Sequence, residues 1–230
     1  MSVDHIKSVI SRDNEAFETP CYVYYPERIS ENYQRLKAAL GTSLIISIKA
    51  NHSIDLLSLI SNEKDGYEAT SEHELNMMAL MKGRLCFLNN PSFNGELVRK
   101  AVSAKVQIIV DHPHQIRLLE PHISKIRPVM LRLNTGLLKQ YLPEHPGMRK
   151  DHFGMDMDNL GIAIDKLNAL GIPVEGIHLF KGSYSFNSTA IPTVEAIQAL
   201  LPIIEERLGY PLKKVNLGGG LSAYWDQEGF

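Results

Sequence analysis

The chain has 230 residues, 44% hydrophobic and 22% charged, with 24 basic side chains against 26 acidic ones and a formal net charge of -2. That length holds one large domain or two small ones, and the composition excludes a disordered or fibrous chain and any general pull toward nucleic acid or anionic lipid. No apolar run approaches the roughly 20 residues that span a bilayer, the start Met1–Lys7 lacks the layout of a secretory signal, and Cys21 and Cys86 lack metal-site spacing. The expectation is a cytoplasmic globular protein with reduced thiols and no membrane or nucleic-acid partner.

After a polar lead, Cys-Tyr-Val-Tyr-Tyr at Cys21–Tyr25 is aromatic and β-branched and predicts a strand. Pro26 sits in the first turn of a helix over Glu27–Leu40, with Ile29, Tyr33, Leu36 and Leu40 at helical spacing. The apolar run Leu44–Ile48 then precedes a helix at Ile54–Ser61, and the cycle repeats. Gly66–Thr70 leads to a helix with Leu75, Met78 and Met81, and Leu85–Leu88 to one with Leu97, Val98 and Val102. Val106–Val110 leads to His114–Leu119, and Val129–Leu133 to a long polar loop, Gly136–Asp151, carrying Pro143, Pro146 and Gly147. A helix at Leu160–Leu170 leads into Val174–Phe180, and another at Thr193–Leu208 into Lys214–Leu217. Apolar strands alternating with amphipathic helices predict a parallel sheet covered by helices. About seven units suit a doubly wound sheet or a (β/α)8 barrel that stops short of its usual length.

In that frame the unusual polar residues gather at strand C-termini, the face where such barrels carry their sites. They are Lys49 and Asn51, Glu68 and Ser71, Asn89 and Asn90, Asp111 and His112, Arg132 and Asn134, His178 and Ser183, and Gly218-Gly219-Gly220. Asp111 reads as a cap for the helix that follows. Met77, Met78 and Met81 read as core filling, and His112-Pro-His114, with no carboxylate or cysteine cluster beside it, predicts no metal site.

Alternation puts Ile45, Ser47 and Lys49 on one face, with Ile46 and Ile48 under the helices. A lysine on the inner face of a buried strand is poorly hydrated, which favours the neutral amine that attacks carbonyls; a lysine snorkelling out at the rim is the alternative. Gly218–Gly220 lets backbone N–H groups approach an anion, although a flexible turn would look the same. Lys181-Gly182-Ser183 offers a second such turn with a hydroxyl. A reactive lysine, a dianion cradle and a barrel mouth together point to pyridoxal 5'-phosphate.

The same segments carry a resemblance. Thr19–Tyr25, Ser47-Ile-Lys-Ala-Asn51, Gly66–Ser71 running on to Glu74 and Leu75, Leu131-Arg-Leu-Asn134, His152-Phe-Gly-Met155, Gly176–Ser183 and Asn216-Leu-Gly-Gly-Gly220 follow one another in the order of known motifs. They resemble the crossing strand, Y-x-V-K-A-N, G-x-D-x-A-S-x-x-E-L, L-R-[IV]-N, K-F-G-[MA], G-x-H-x-H-[IV]-G-S and D-[IL]-G-G-G of the fold-type III pyridoxal-phosphate decarboxylases, the ornithine/diaminopimelate/arginine group. The resemblance implies an alanine racemase-like TIM-type barrel, incomplete, lacking its last strand and the C-terminal β-domain. Residues 1–25 would be the lead and crossing strand that join that absent domain, and 26–230 the cofactor-binding barrel domain. It implies Lys49 at the Schiff-base position, Glu68 and Arg132 beside the cofactor, Phe180 against its ring, and phosphate contacts from Ser183, Gly218, Gly219 and Gly220. The implied activity is decarboxylation of an amino acid or amino-acid-like intermediate, in a homodimer or with a complementing C-terminal portion.

Departures qualify the resemblance. Phe180 stands where the family has a stacking histidine, Lys181 where it has an apolar residue, Glu68 for aspartate and His152 for lysine. These fit a divergent branch, such as decarboxylases of siderophore or antibiotic pathways. The family's E-P-G-R motif is absent before Phe230, so the chain is expected to be the first portion of a longer or split enzyme, with little activity alone. A non-decarboxylating cofactor-binding protein, an amino-acid racemase and a partner-binding pseudoenzyme are the alternatives.

Overall fold

The computed structural model describes residues 20, 22, 24–59, 65–81, 85–137 and 152–222. Short β-branched runs form β1 (Ile45–Ser47), β2 (Gly66–Ala69), β3 (Leu85–Asn89), β4 (Gln107–Val110), β5 (Val129–Arg132), β6 (Val174–His178) and β7 (Lys214–Asn216). They pair side by side in chain order as one parallel seven-stranded sheet. Helix α1 (Pro26–Leu40) precedes them, and between them lie α2 (Ile54–Leu59), α3 (Glu72–Ala79), α4 (Gly95–Ser103), α5 (Met157–Leu170) and α6 (Phe186–Leu208). Strands added in sequence order, each returning through a helix, make the winding of a (β/α)8 barrel. The seven among the described residues leave it open. Of the crossing strand expected at Cys21–Tyr25, the described residues Tyr22, Tyr24 and Tyr25 form no strand, while Cys21 and Val23, the proline-bearing part of the loop before Asp151, and the residues after Ser222 lie outside the described residues. No helix among the described residues is long and apolar enough to cross a membrane.

Helix ends follow local chemistry. Pro26 stands in the first turn of α1, and Gly41 (φ 60°) closes it with its N–H on Lys37 O. Ser71, Asn94 and Asp156 cap α3, α4 and α5 by accepting from Glu74, Leu97 and Asn159 amides. Two elements differ from expectation. After β4 the chain makes a 3-10 helix, Pro113–Leu118, capped by the His112 imidazole, instead of an α-helix at His114–Leu119. Helix α6 begins seven residues earlier than Thr193, with Pro192 and Pro202 inside it. Buried Phe186, Thr189 and Thr193 hold the added turns against the core.

The strands' two faces separate cleanly. Ile46, Ile48, Tyr67, Leu88, Ile108, Val110, Leu131 and Ile177 pack beneath the helices in the main core, which also takes in Met77, Met78 and Met81. Phe87, Ile109 and Met130, with Ile45 and Leu85, form a second cluster inside the barrel. The period-2 alternation of β1 therefore falls as expected. Below that inner layer, Lys214 Nζ donates to Glu175 Oε2 (2.8 Å) and Gln107 Oε1 (3.2 Å), and Gln107 Nε2 to Glu175 Oε2 (2.9 Å), so the floor is closed by satisfied polar groups. The mouth above is different.

Candidate active site

One layer above Phe87, Ile109 and Met130, the inward positions become polar: Ser47, Glu68, Asn89, Asp111, Arg132 and His178. At the C-terminal ends of β4 and β5, Arg132 Nη1 donates to Asp111 Oδ1 at 2.8 Å, and both side chains are 8% exposed. Asp111 also accepts from the Gly154 amide (3.2 Å), and the Arg132 guanidinium lies 4.7 Å from the Phe153 ring centroid. The segment carrying Phe153 and Gly154 is itself strapped to β5, since Met155 N donates to Arg132 O and Asn134 N to Met155 O. Asp111 is thus the counter-ion of Arg132. The expected helix cap is supplied by His112 instead, because an aspartate 21 residues before a buried arginine gains more from pairing than from one exposed amide.

Across the mouth, Glu68 and His178 are buried 3.8 Å apart, Glu68 Oε2 to His178 Nε2. They are not an ion pair. Burial raises the Glu68 pKa, against the pull of Lys49, Asn89 and Arg132. Burial, together with the charges of Arg132, Lys49 and Lys181, lowers that of His178 from 6.5 to about 3. The imidazole is neutral at any physiological pH, and it meets Asn89 Nδ2 at 3.4 Å. Ser47 Oγ, Asn89 Oδ1 and His178 Nδ1 are buried with no hydrogen-bond partner. Buried polar atoms are normally satisfied, so three orphans around one inner face mark a place where a polar group completes the structure.

The two glycine turns meet beside them. Gly218 (φ 68°) and Gly220 (φ 96°) occupy backbone that favours glycine, and a Cβ on either would lie 2.4 Å from a carbonyl oxygen, Leu179 O and Gly182 O respectively. The loops after β6 and β7 therefore touch backbone to backbone. Among the described residues, the amides of Gly182, Ser183, Gly219 and Gly220 donate to no protein acceptor. Ser183 is an exposed turn residue. Phe180, half-buried, lies under the mouth with Lys49 Nζ 5.7 Å from its ring centroid.

Lys49 corrects one expectation. Its amine does face Phe180, yet the residue is exposed rather than desolvated. Strand β1 ends at Ser47, Lys49 sits in a 3-10 turn, and β1 pairs only with β2 among the described residues, so water reaches the amine from the open side. Of the expected site residues, Lys49, Glu68, Arg132 and Phe180 gather around the inner mouth, and Ser183 and Gly218–Gly220 form its two glycine turns. Asp111 and Lys181 were missed as site groups. Inward parity with Gln107 and Ile109 marks Asp111; the only sequence signal for Lys181 is its departure from an apolar motif position.

The described part of the barrel thus bears an amine, a paired guanidinium and two amide-lined turns at its strand C-termini, groups whose chemistry suits a phosphorylated ligand. The chain belongs to the family described as pyridoxal-dependent decarboxylase, pyridoxal binding domain, which it matches over residues 27–229. It is 26% identical over 221 residues to a diaminopimelate decarboxylase of Archaeoglobus fulgidus, covering 92% of this chain and 52% of the relative. It is 26% identical to an L-glutamyl-[BtrI acyl-carrier protein] decarboxylase of Niallia circulans, covering 92% and 52%. In fold it resembles the lysine/ornithine decarboxylase of Vibrio vulnificus complexed with putrescine (TM-score 0.78, 17% identity, 96% of this chain and 58% of that one). The chain spans about half the length of the curated relatives it matches. The residues present suit the family's cofactor: amides without protein acceptors match a phosphate, and an aromatic face lies beside an amine.

Proposed function

We propose that this chain is the cofactor-binding portion of a pyridoxal-phosphate-dependent decarboxylase acting on an amino acid or an amino-acid-like biosynthetic intermediate. The observation that carries this reading is the convergence, at one barrel mouth, of Lys49 over Phe180 with two turns whose amides lack protein acceptors. In this reading the Lys49 amine takes the cofactor's aldehyde, and the amides of Gly182, Ser183, Gly219 and Gly220 hold its phosphate. Phe180 covers one ring face. Arg132, fixed by Asp111, presents a permanent charge to ring substituents, while neutral His178 and protonatable Glu68 offer hydrogen bonds inside the mouth. When bound, the cofactor supplies an electron sink for the carbon that loses carbon dioxide.

Residues 26–230 form the binding domain in this proposal, and 1–25 lead into the part that completes the enzyme, supplied by a homodimer or a complementing C-terminal portion. A cytoplasmic setting is part of the same proposal. The test has two arms. Pyridoxal phosphate is expected to become borohydride-fixable to the protein, with the label on Lys49 by peptide mapping and none in Lys49→Ala. Carbon dioxide release from diaminopimelate, lysine, ornithine and arginine is then measured for the protein with its completing portion. Labelling elsewhere, or none, would overturn the assignment of Lys49; cofactor binding without carbon dioxide release from any amino acid would favour the carrier or racemase readings.

A further inference from the structure

Lys181 has no part in that reading, yet it is only 2% exposed. A lysine so buried ordinarily has a carboxylate partner. Among the described residues Lys181 has none: Nζ donates to the Leu217 carbonyl at 3.1 Å and lies 5.0 Å from the Phe186 ring centroid. Burial alone lowers its pKa from 10.5 to about 8, with no acidic group opposing the shift.

Its position ties the two turns together. Lys181 is the first residue of the turn that leads through Gly182 to Ser183, and its side chain reaches the carbonyl immediately before Gly218. Those turns are already in contact, because Gly182 O lies 2.4 Å from where a Gly220 Cβ would be. One ammonium therefore stands behind both sets of unpartnered amides. Its charge is also felt in the barrel, where it is one of three cations that depress His178.

We propose that Lys181 is a positioning residue for the phosphate monoester, its ammonium serving as the buried counter-charge behind the two glycine turns and as the strut that holds them in register. The inference rests on the pyridoxal-phosphate reading and adds a residue to it. A dianion with several acceptor oxygens would satisfy the free amides in front and the unpaired charge behind. A purely structural role, bridging β6 and β7 through Leu217, would need the hydrogen bond but not the charge.

Three ligands and three variants separate these roles. Binding of pyridoxal phosphate, pyridoxal and inorganic phosphate is measured by calorimetry and by thermal shift for the protein and for Lys181→Met, Lys181→Gln and Lys181→Arg. Met removes charge and donor, Gln keeps a donor, and Arg keeps the charge. Expected is a loss of about tenfold to a hundredfold in pyridoxal phosphate affinity for Met and Gln, the range for a charge-assisted contact. Pyridoxal affinity should stay unchanged, the thermal shift from inorganic phosphate should be lost, and Arg should recover part of the affinity. Equal weakening of pyridoxal phosphate and pyridoxal would overturn the proposal in favour of the strut alone. So would unchanged binding, or rescue by Gln but not by Arg. If Met fails to fold, Gln and Arg decide. A wild-type protein that binds pyridoxal phosphate no better than pyridoxal would overturn the cofactor reading as well; tight wild-type binding with unaffected variants would overturn only the role of Lys181.

Discussion

The Arg132–Asp111 pair makes the sharpest energetic prediction. Both side chains are 8% exposed and joined at 2.8 Å, so removing the carboxylate leaves a desolvated guanidinium. Breaking one partner of such a pair costs about 3–5 kcal/mol, whereas replacing both with apolar residues of similar size is often close to neutral. Asp111→Leu also strips the acceptor from the Gly154 amide, about 1 kcal/mol further. Arg132→Leu removes the cation over Phe153, about 1 kcal/mol more. Each single variant should therefore lower stability by about 4–6 kcal/mol, and Asp111→Leu/Arg132→Leu should lose far less than the sum. Urea unfolding followed by circular dichroism measures this. With a slope of about 2 kcal/mol per molar, each single substitution moves the midpoint down by roughly 2–3 M, and the coupling exceeds ~2 kcal/mol. Single losses below ~1 kcal/mol, or a double variant that simply adds the two, would refute the view that this buried pair organises the mouth.

Other consequences are smaller but as direct. Because the folded pKa of Lys181 is depressed from 10.5 to about 8, the unfolded chain holds a proton across that window that the folded chain does not; its contribution raises stability with increasing pH there, by about 3 kcal/mol in total. Lys181→Met should flatten that rise and be no less stable than wild type at pH 7, as read by urea unfolding at several pH values. Glu68 has the opposite sign: its raised pKa means the folded state keeps a proton above pH 4.5, so its share of stability falls as pH climbs through the folded pKa. Thermal melts of Glu68→Gln across the mildly acidic range should lose that decline. Gly218→Ala places a Cβ 2.4 Å from Leu179 O at a positive φ, while the same change at Gly219 meets nothing within 4 Å. The first should cost at least ~1–2 kcal/mol, the second close to none, by side-by-side melts.

Several features were legible in single residues. The inward and outward parity of β1 and the apolar spacing of the helices depend on neighbours a few positions away. The glycine turns and Lys49 were recognisable because strand ends in a parallel barrel collect on one face. Asp111 was misread for a physical reason: its capping propensity is local, but its partner Arg132 belongs to another strand. The helix expected at Thr193–Leu208 begins at Phe186 because the burial of Phe186 and Thr189, set by tertiary packing, holds the added turns even with Pro192 inside the helix.

Amino-acid order by itself determined the alternation of elements, the face each strand residue takes and the residue types brought to the barrel mouth, since these follow from backbone period and chain direction. Only the tertiary structure decided which of those groups are dry. Lys49 is wet and Lys181 is buried, although both are lysines at the ends of β-strand segments. Hydration is set by what packs across from a side chain, and for Lys181 that is the turn after β7 and the first turn of α6, assembled from residues beyond its own strand.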